Sequence, residues 1–215
     1  MRFALLLFLI LRMPGYCFGG LVFSTFDSGL DGWTHAAGGD PGSAISYVSS
    51  GGNPGGFARI IEPAVGSRDW FAAPTKFLGD KSVYYGGTLS YDLRRSETGL
   101  PPLVDQDVLL IGAGLEISID DPIFASTTEF TNFNFELIET AGWTLAGGGA
   151  PTKAQFQSIL QDLTDFQIIA DWTNGQDTSS LDNVALAAVP EPSGFLLLFS
   201  ALTAACVRRS RRTTA

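Results

Sequence analysis

The sequence GTLSYDLR at residues 87–94 alternates polar and apolar side chains, and TNFNFELI at residues 131–138 does the same. Leucine and tyrosine alternate with threonine, serine and aspartate in the first stretch, and phenylalanine alternates with asparagine in the second. A period of two residues is typical of a β-strand that packs one face on a core and exposes the other to water. Both stretches are therefore predicted to be half-buried strands.

Other apolar runs in the chain are short and bounded by Gly, Pro, Asp or Asn, which also indicates strands separated by turns. These runs occupy residues 44–50, 57–61, 107–114, 115–120, 165–172 and 180–187. Residues 152–163 differ, because their apolar side chains follow a helical spacing behind a candidate N-cap, Thr152. The pattern predicts an all-β sandwich or jelly roll, with one short helix covering one end of it.

Charge and cysteine usage exclude several classes of function. The 215 residues carry a formal net charge of −9, and six of the thirteen basic residues lie near the two ends, so the central segment is more acidic still. Binding to phosphate groups needs clustered Lys and Arg, so nucleic acid is not an expected partner. The two cysteines, Cys17 and Cys206, both lie in the apolar ends, which excludes an internal disulfide or a cysteine-based site in the central segment.

The amino-terminal segment reads as a signal peptide over residues 1–20. Arg2 supplies a positive charge, residues 3–11 form an apolar run, and Gly19 and Gly20 offer small residues for cleavage. The apolar run is too short to cross a bilayer as a helix. We therefore expect an exported protein.

The carboxy-terminal segment, residues 189–215, combines an apolar run with a basic end. Residues 194–207 would form a helix of about 21 Å, shorter than a hydrocarbon core of about 30 Å. A basic cluster follows this short transmembrane helix and would hold its end in the cytoplasm. The cluster consists of Arg208, Arg209, Arg211 and Arg212. Such a segment is a marginal permanent anchor.

The order of features in this tail resembles the PEP-CTERM sorting signal. Pro190, Glu191 and Pro192 precede the apolar run, and the arginines end it. The resemblance implies recognition by an exosortase-type enzyme in the inner membrane of a Gram-negative bacterium. The protein would pass through a transient inner-membrane intermediate to the cell surface or the extracellular matrix. A plain single-span anchor remains the alternative.

The central segment, residues 21–188, resembles the laminin B domain, also called laminin domain IV. The resemblance runs from about residue 23 to 187, and its most specific parts are FLGD at 77–80 and LDNV at 181–184. It implies a β-sandwich of the galactose-binding jelly-roll type. Laminins flank this domain with cysteine-rich modules that are not found in this sequence, so no role in basement-membrane assembly is carried over.

Two groups of residues are candidates for ligand binding. In jelly rolls of this type a structural Ca²⁺ often lies where the first loop meets the last strand, and Asp27, Asp40 and Asp182 could supply hard oxygen ligands there. Their alternative roles are a capping turn and a solvent-facing carboxylate. Trp33 and Trp143 lie beside glycine-rich loops and are candidates for stacking on sugar rings, whereas we expect Trp70 and Trp172 to pack in the core.

No residue set in the sequence indicates catalysis. The one histidine, His35, is expected to be exposed in a glycine-rich loop. Two acidic pairs, Asp105 with Asp107 and Asp120 with Asp121, could serve a glycosidase only if they faced one cleft, and they are expected to lie in solvated turns. The sequence thus predicts a non-enzymatic surface or matrix protein that binds polysaccharide or another surface protein. A carbohydrate-active enzyme and a ligand-free structural component remain the alternatives.

Overall fold

The computed structural model of the chain describes residues 20–37, 44–62, 68–96, 106–173 and 175–189. The described part contains twelve strands and one α-helix. The strands are β1 (Leu21–Ser24), β2 (Thr34–Ala37), β3 (Ala44–Val48), β4 (Phe57–Glu62), β5 (Asp69–Ala72), β6 (Thr88–Arg95), β7 (Val108–Gly112), β8 (Leu115–Ile119), β9 (Thr131–Glu136), β10 (Thr144–Leu145), β11 (Leu163–Ile169) and β12 (Asp177–Ala187), and the helix is α1 (Lys153–Gln161).

Two antiparallel sheets form the body, which is a compact unit spanning Leu21–Val189. The first sheet has the order β3-β4-β12-β6-β9, and β1 also pairs with β12. The second sheet has the order β10-β8-β7-β11-β5-β2. This architecture confirms the predicted all-β sandwich, and α1 is the predicted short helix. Within the described ranges, no helix is long and apolar enough to cross a membrane.

Every strand expected from the sequence is present, but four strands were not expected. These are β1, β2, β5 and β10, each of two to four residues. Such short segments do not hold enough residues to display a period of two. The sequence of β2, THAA, also lacks large apolar side chains, and the strand exists because it pairs with β5. These four segments therefore become strands because they pair with a neighbouring strand, and their local sequence pattern does not predict them.

The strands and the helix obey the sequence pattern closely where that pattern is strong. Leu89, Tyr91 and Leu93 on β6 are fully buried and face the core, so the residues between them face outward. The Thr152 side chain accepts a hydrogen bond from the Gln155 backbone N–H, which completes a capping box at the start of α1. The helix buries its apolar face, and Phe156 is among the residues of that face.

Strand β12 lies at the centre of the first sheet and contacts three neighbouring strands, β4, β6 and β1. Its register against β6 shifts between Asp182 and Ala185, and Asn183 there has a φ of 50°. The irregularity is a β-bulge, which redirects side chains at the point where it occurs. The segment LDNV thus places Asp182 and Asn183 where the sheet contacts the loop between β3 and β4.

The two predicted terminal segments lie almost wholly outside the described residues. This applies to the signal peptide, to the motif Pro190, Glu191 and Pro192, and to the basic cluster at residues 208–212. Both assignments therefore stay predictions from the sequence.

Candidate functional sites

The two tryptophans predicted to stack on sugars are buried, so that prediction is wrong. Trp33 is 2% exposed and its indole N–H donates to the Ser24 hydroxyl at 2.9 Å. Trp143 is 1% exposed and donates to the Glu136 carbonyl oxygen at 2.9 Å. Burial of the ring together with a satisfied N–H is the usual role of tryptophan in a core. Trp70 and Trp172 are buried as expected.

An acid–amide network surrounds the bulge of β12. Asp182 is fully buried, and its carboxylate accepts the backbone N–H groups of Asn53 at 2.6 Å and Asn183 at 2.8 Å. Asp92, on the adjacent strand β6, accepts side-chain amides of Asn53, Asn132 and Asn183 at 2.8–3.0 Å. The network joins the β3–β4 loop to three strands of the first sheet.

The electrostatics of this network follow mainly from burial of the Asp182 carboxylate, with a smaller contribution from neighbouring carboxylates. Burial raises the pKa of Asp182 to about 6, and the negative charges of Asp92 and Asp27 add to the rise. The Asp27 carboxylate reaches the same loop, because a Cβ built on Gly55 would lie 2.1 Å from its Oδ1. Asp27 and Asp182 are thus brought near each other, as the calcium hypothesis requires. Asp40 lies outside the described residues, and the calcium site itself stays a prediction.

The outer face of the first sheet carries an arginine that packs against a pair of contacting aromatic rings, Phe57 and Phe130. The Arg94 guanidinium lies 4.6 Å from the centre of the Phe130 ring and 5.5 Å from that of Phe57. Asn132 and Asn134, exposed on the neighbouring strand β9, present side-chain amides on the same face. We call Arg94, Phe130, Asn132 and Asn134 the outer-face cluster. It combines a planar cation, an aromatic ring and amides, which are groups suited to hydroxyl and carboxylate ligands.

His35 is not an exposed loop residue, which corrects the expectation from the sequence. It lies on β2 with 13% of its side chain exposed, and its Nε2 is 2.8 Å from Oδ1 of the buried Asp69. The two residues are diagonal neighbours across β2 and β5, because His35 is aligned with Phe71 and Asp69 with Ala37. A buried carboxylate in contact with a half-buried imidazole fits a structural contact between strands.

Asp107 is a second buried acid with an unusual environment. Its pKa is raised to about 7, mainly by burial and further by the charges of Asp120 and Asp121. The backbone N–H of Asp121 donates to the Asp107 carboxylate at 2.6 Å and partly offsets this rise. A carboxyl that titrates near neutrality is a feature of general acids. Asp107 is only 3% exposed, however, and this enclosure fits a structural role. Asp105 lies outside the described residues.

A third group of acids lies at the end of the sandwich where β4 ends and β12 begins. Glu62, Asp171 and Asp177 are each less than 9% exposed, and each offers a carboxylate oxygen within 4.8 Å of the others. No pattern in the sequence indicates this group, because its members come from three separate segments.

One shallow depression of about 380 Å³ lies at the edge of the second sheet. Its lining is mostly glycine and aliphatic, with Glu116 and Gln155 as its polar side chains. One carboxylate is not the facing pair that a glycosidase needs.

The family profile described as Laminin B (Domain IV) matches residues 70–196 of this sequence. Laminin subunit gamma-1 of Xenopus tropicalis is 28% identical over 187 residues, which are 84% of this chain and 11% of that relative. The chain thus corresponds to a small part of the length of this laminin subunit.

Solved structures show the same fold at low sequence identity. The L4b domain of human laminin alpha-2 matches with a TM-score of 0.59 and 16% identity, over 80% of this chain and 98% of that domain. A family 11 carbohydrate-binding module from Clostridium thermocellum, solved with a mixed-linked tetrasaccharide, matches with a TM-score of 0.51 and 14% identity, over 82% and 99% of the two chains.

Proposed function

Because the chain belongs to the laminin B (domain IV) family, we propose that it is an exported, non-enzymatic β-sandwich of the cell surface or extracellular matrix that binds polysaccharide or another surface protein. The observation that carries the binding role is the outer-face cluster. Packing of the Arg94 guanidinium against the Phe57 and Phe130 rings restricts the position of its planar donors, which lowers the entropy lost when a ligand binds.

The chemistry of the cluster favours polysaccharide as the ligand. Amide groups of Asn132 and Asn134 can both donate to and accept from sugar hydroxyls, and the guanidinium can donate two parallel hydrogen bonds to a uronic acid carboxylate. The likeness to a carbohydrate-binding module supports this choice only through the shared fold. The ligand-binding face therefore has to be tested on the residues of this chain.

The test is a glycan-binding measurement with Arg94→Ala and a matched control. Lys153→Ala is the control, because Lys153 also lies over an aromatic ring, that of Tyr85 at 5.4 Å, but on the helix side of the molecule. We expect affinity for extracellular polysaccharide of the native cells to fall at least tenfold in Arg94→Ala and to stay unchanged in Lys153→Ala. If both variants bind the polysaccharide with equal affinity, the outer-face cluster is not the binding site. No binding by the unaltered protein would favour a ligand-free structural component.

We also propose that the tail sorts the protein through exosortase-type processing, on the strength of the order of Pro190–Pro192, the apolar run and the arginines. The test is the intact mass and cell fraction of the protein from its native cells, with and without the basic cluster. A mature species that begins near residue 20, ends near residue 190 and lies outside the cell supports the proposal. A full-length chain retained in the inner membrane would instead identify the tail as a permanent anchor.

A further inference from the structure

Three buried carboxyl groups from different parts of the chain meet at one end of the sandwich. Glu62 ends β4 and Asp177 begins β12, and the two residues are paired in the register of the first sheet. Asp171 follows β11 of the second sheet. Their exposures are 2%, 2% and 8%, so water does not solvate these groups as it does surface acids.

Two carboxylate oxygens of this cluster, one on Asp177 and one on Asp171, have no hydrogen bond from the described residues. Asp177 Oδ2 accepts the Trp172 backbone N–H at 2.8 Å, but its Oδ1 is buried and has no hydrogen-bond partner among the described residues. Asp171 Oδ1 is also buried and has no hydrogen-bond partner among the described residues. A buried charged oxygen without a donor costs several kilocalories per mole in general, so native proteins supply it with a proton, a donor or a metal ion.

Among the described residues, the Asp171 carboxylate has one attracting and one repelling charge beside it. Arg68 attracts the Asp171 carboxylate, whereas Asp69, itself paired with His35, repels it. One guanidinium cannot balance three carboxylates that lie in mutual contact. The carboxylate oxygens of Glu62, Asp171 and Asp177 lie within 4.8 Å of one another. Buried acids this close together are stabilised by a proton or a cation between them.

We propose that Glu62, Asp171 and Asp177 bind a divalent cation, and that the cation is Ca²⁺. All three ligands are hard oxygen atoms, with no histidine or cysteine, which favours Ca²⁺ or Mg²⁺ over transition metals. Mg²⁺ usually keeps several water ligands, whereas Ca²⁺ accepts carboxylate and carbonyl oxygens as most of its ligands. The three side chains are buried, which leaves little room for water and favours Ca²⁺. Their carboxylate oxygens lie within 4.8 Å of one another, so one ion can contact all three.

The position of the three ligands gives this ion a structural task. Glu62 and Asp177 belong to the first sheet, and Asp171 begins the connection that leads from the second sheet into β12. An ion bound to all three would join the two sheets at this end of the sandwich. This site is separate from the calcium site expected at Asp27 and Asp182, because Asp177 begins β12 whereas Asp182 lies at the bulge in its middle, next to β6.

The experiment compares thermal unfolding of the full-length chain, purified in mild detergent and stripped with EDTA, before and after addition of CaCl₂. We expect Ca²⁺ at about 100 times its Kd to raise the Tm by roughly 5–10 °C. Glu62→Gln and Asp177→Asn should each abolish the part of the Ca²⁺-dependent rise in Tm that comes from this site, which we call the increment. Without Ca²⁺, both variants should melt at or above the temperature of the unaltered protein, because each removes one of the crowded charges.

Asp107→Asn is the matched control, since it alters a buried acid that belongs to neither group of candidate calcium ligands. It should keep the increment that Glu62→Gln and Asp177→Asn lose. If a neutral variant does not fold, Asp177→Glu replaces it, and calorimetry should then show Ca²⁺ affinity at least tenfold below that of the unaltered protein. The proposal is overturned if Ca²⁺ leaves the Tm unchanged, or if both variants keep the full increment. Glycan binding is measured separately and is independent of either result.

Discussion

At the residue scale, Trp143 shows that a tryptophan next to glycines in the sequence can still be buried in the core. Its ring contacts Phe135 at 6.4 Å and Phe156 at 5.7 Å between centres, so it connects β9 with α1. The neighbouring glycines allow the chain to turn while the indole points inward. The same holds for Trp33, whose ring contacts Phe77 and Phe166.

We therefore expect Trp143→Ala to lower the free energy of unfolding by about 3–5 kcal/mol, through loss of buried area and creation of a cavity. Phe124→Ala is the control, because Phe124 is 38% exposed and its replacement should change stability by about 0.5 kcal/mol or less. Urea denaturation followed by fluorescence measures both. A Trp143→Ala protein with unchanged stability and weakened glycan binding would return this residue to the surface role.

Asp107 predicts an unusual pH dependence of stability. Its pKa in the folded state is about 7, above the value of about 4 in an unfolded chain. The folded state therefore binds more protons than the unfolded state between these two values, and stability falls as the pH rises from about 4 to 7. Above pH 7 the penalty of the buried charge is complete.

Asp107→Asn should remove this contribution. We expect the Tm of the variant to exceed that of the unaltered protein at pH 8, and the difference to shrink toward pH 5. Thermal unfolding across this pH range, in EDTA to exclude bound cations, gives the measurement. A constant difference across the range would show that the carboxyl is ionised throughout.

The contact between α1 and β7 depends, at the element scale, on a residue with no side chain. A Cβ built on Gly112 would lie 2.5 Å from the Ile159 carbonyl oxygen and 2.6 Å from that of Asp162. Both atoms are backbone, so neither can move aside without moving the end of the helix. Any larger residue at this position separates the helix from the strand.

Gly112→Ala should accordingly destabilise the fold by about 1–3 kcal/mol, as overpacking does in other cores. Gly147→Ala is the matched control, since no atom lies within 4 Å of its Cβ position and its φ is not positive. Chemical denaturation of the two variants side by side tests this. Equal stabilities would mean that the helix end shifts at no cost.

The bulge of β12 and the β3–β4 loop form the second element-scale contact. Asp182 accepts one backbone N–H from the β3–β4 loop, that of Asn53, and one from the bulge, that of Asn183. Asp27, in the loop after β1, approaches the β3–β4 loop at Gly55. If these acids bind Ca²⁺ as the sequence predicts, Asp182→Asn should remove a separate part of the Ca²⁺-dependent rise in Tm. The expected calcium site is excluded if the entire rise survives in Asp182→Asn.

The charge of the whole molecule limits its partners. Basic residues are few in the central segment, and Arg94 and Arg95 are the basic residues of β6. We expect no measurable binding to double-stranded DNA at an ionic strength of about 0.15 M, because too few cations are available to release counterions. Fluorescence anisotropy with labelled DNA tests this, and binding that weakens with salt would contradict the expectation.

Local sequence alone predicts much of this fold. Alternation along residues 87–94 and 131–138 predicts β6 and β9 because a strand that packs one face repeats every two residues. Thr152 and the apolar spacing behind it predict α1 because capping and packing act within a few residues. The resemblance to laminin B predicts the sandwich, and membership of that family agrees with it.

Only the tertiary structure decides which side chains meet. Glu62 joins Asp171 and Asp177 because antiparallel pairing aligns the end of β4 with the start of β12, a relation that no local pattern records. Arg94 packs against both Phe57 and Phe130 because the chain returns to the same face from distant segments. The periods of a strand or helix are properties of neighbouring residues and can be deduced from the sequence. Burial and binding sites depend on contacts between distant residues, and these exist only once the sheets have paired and packed.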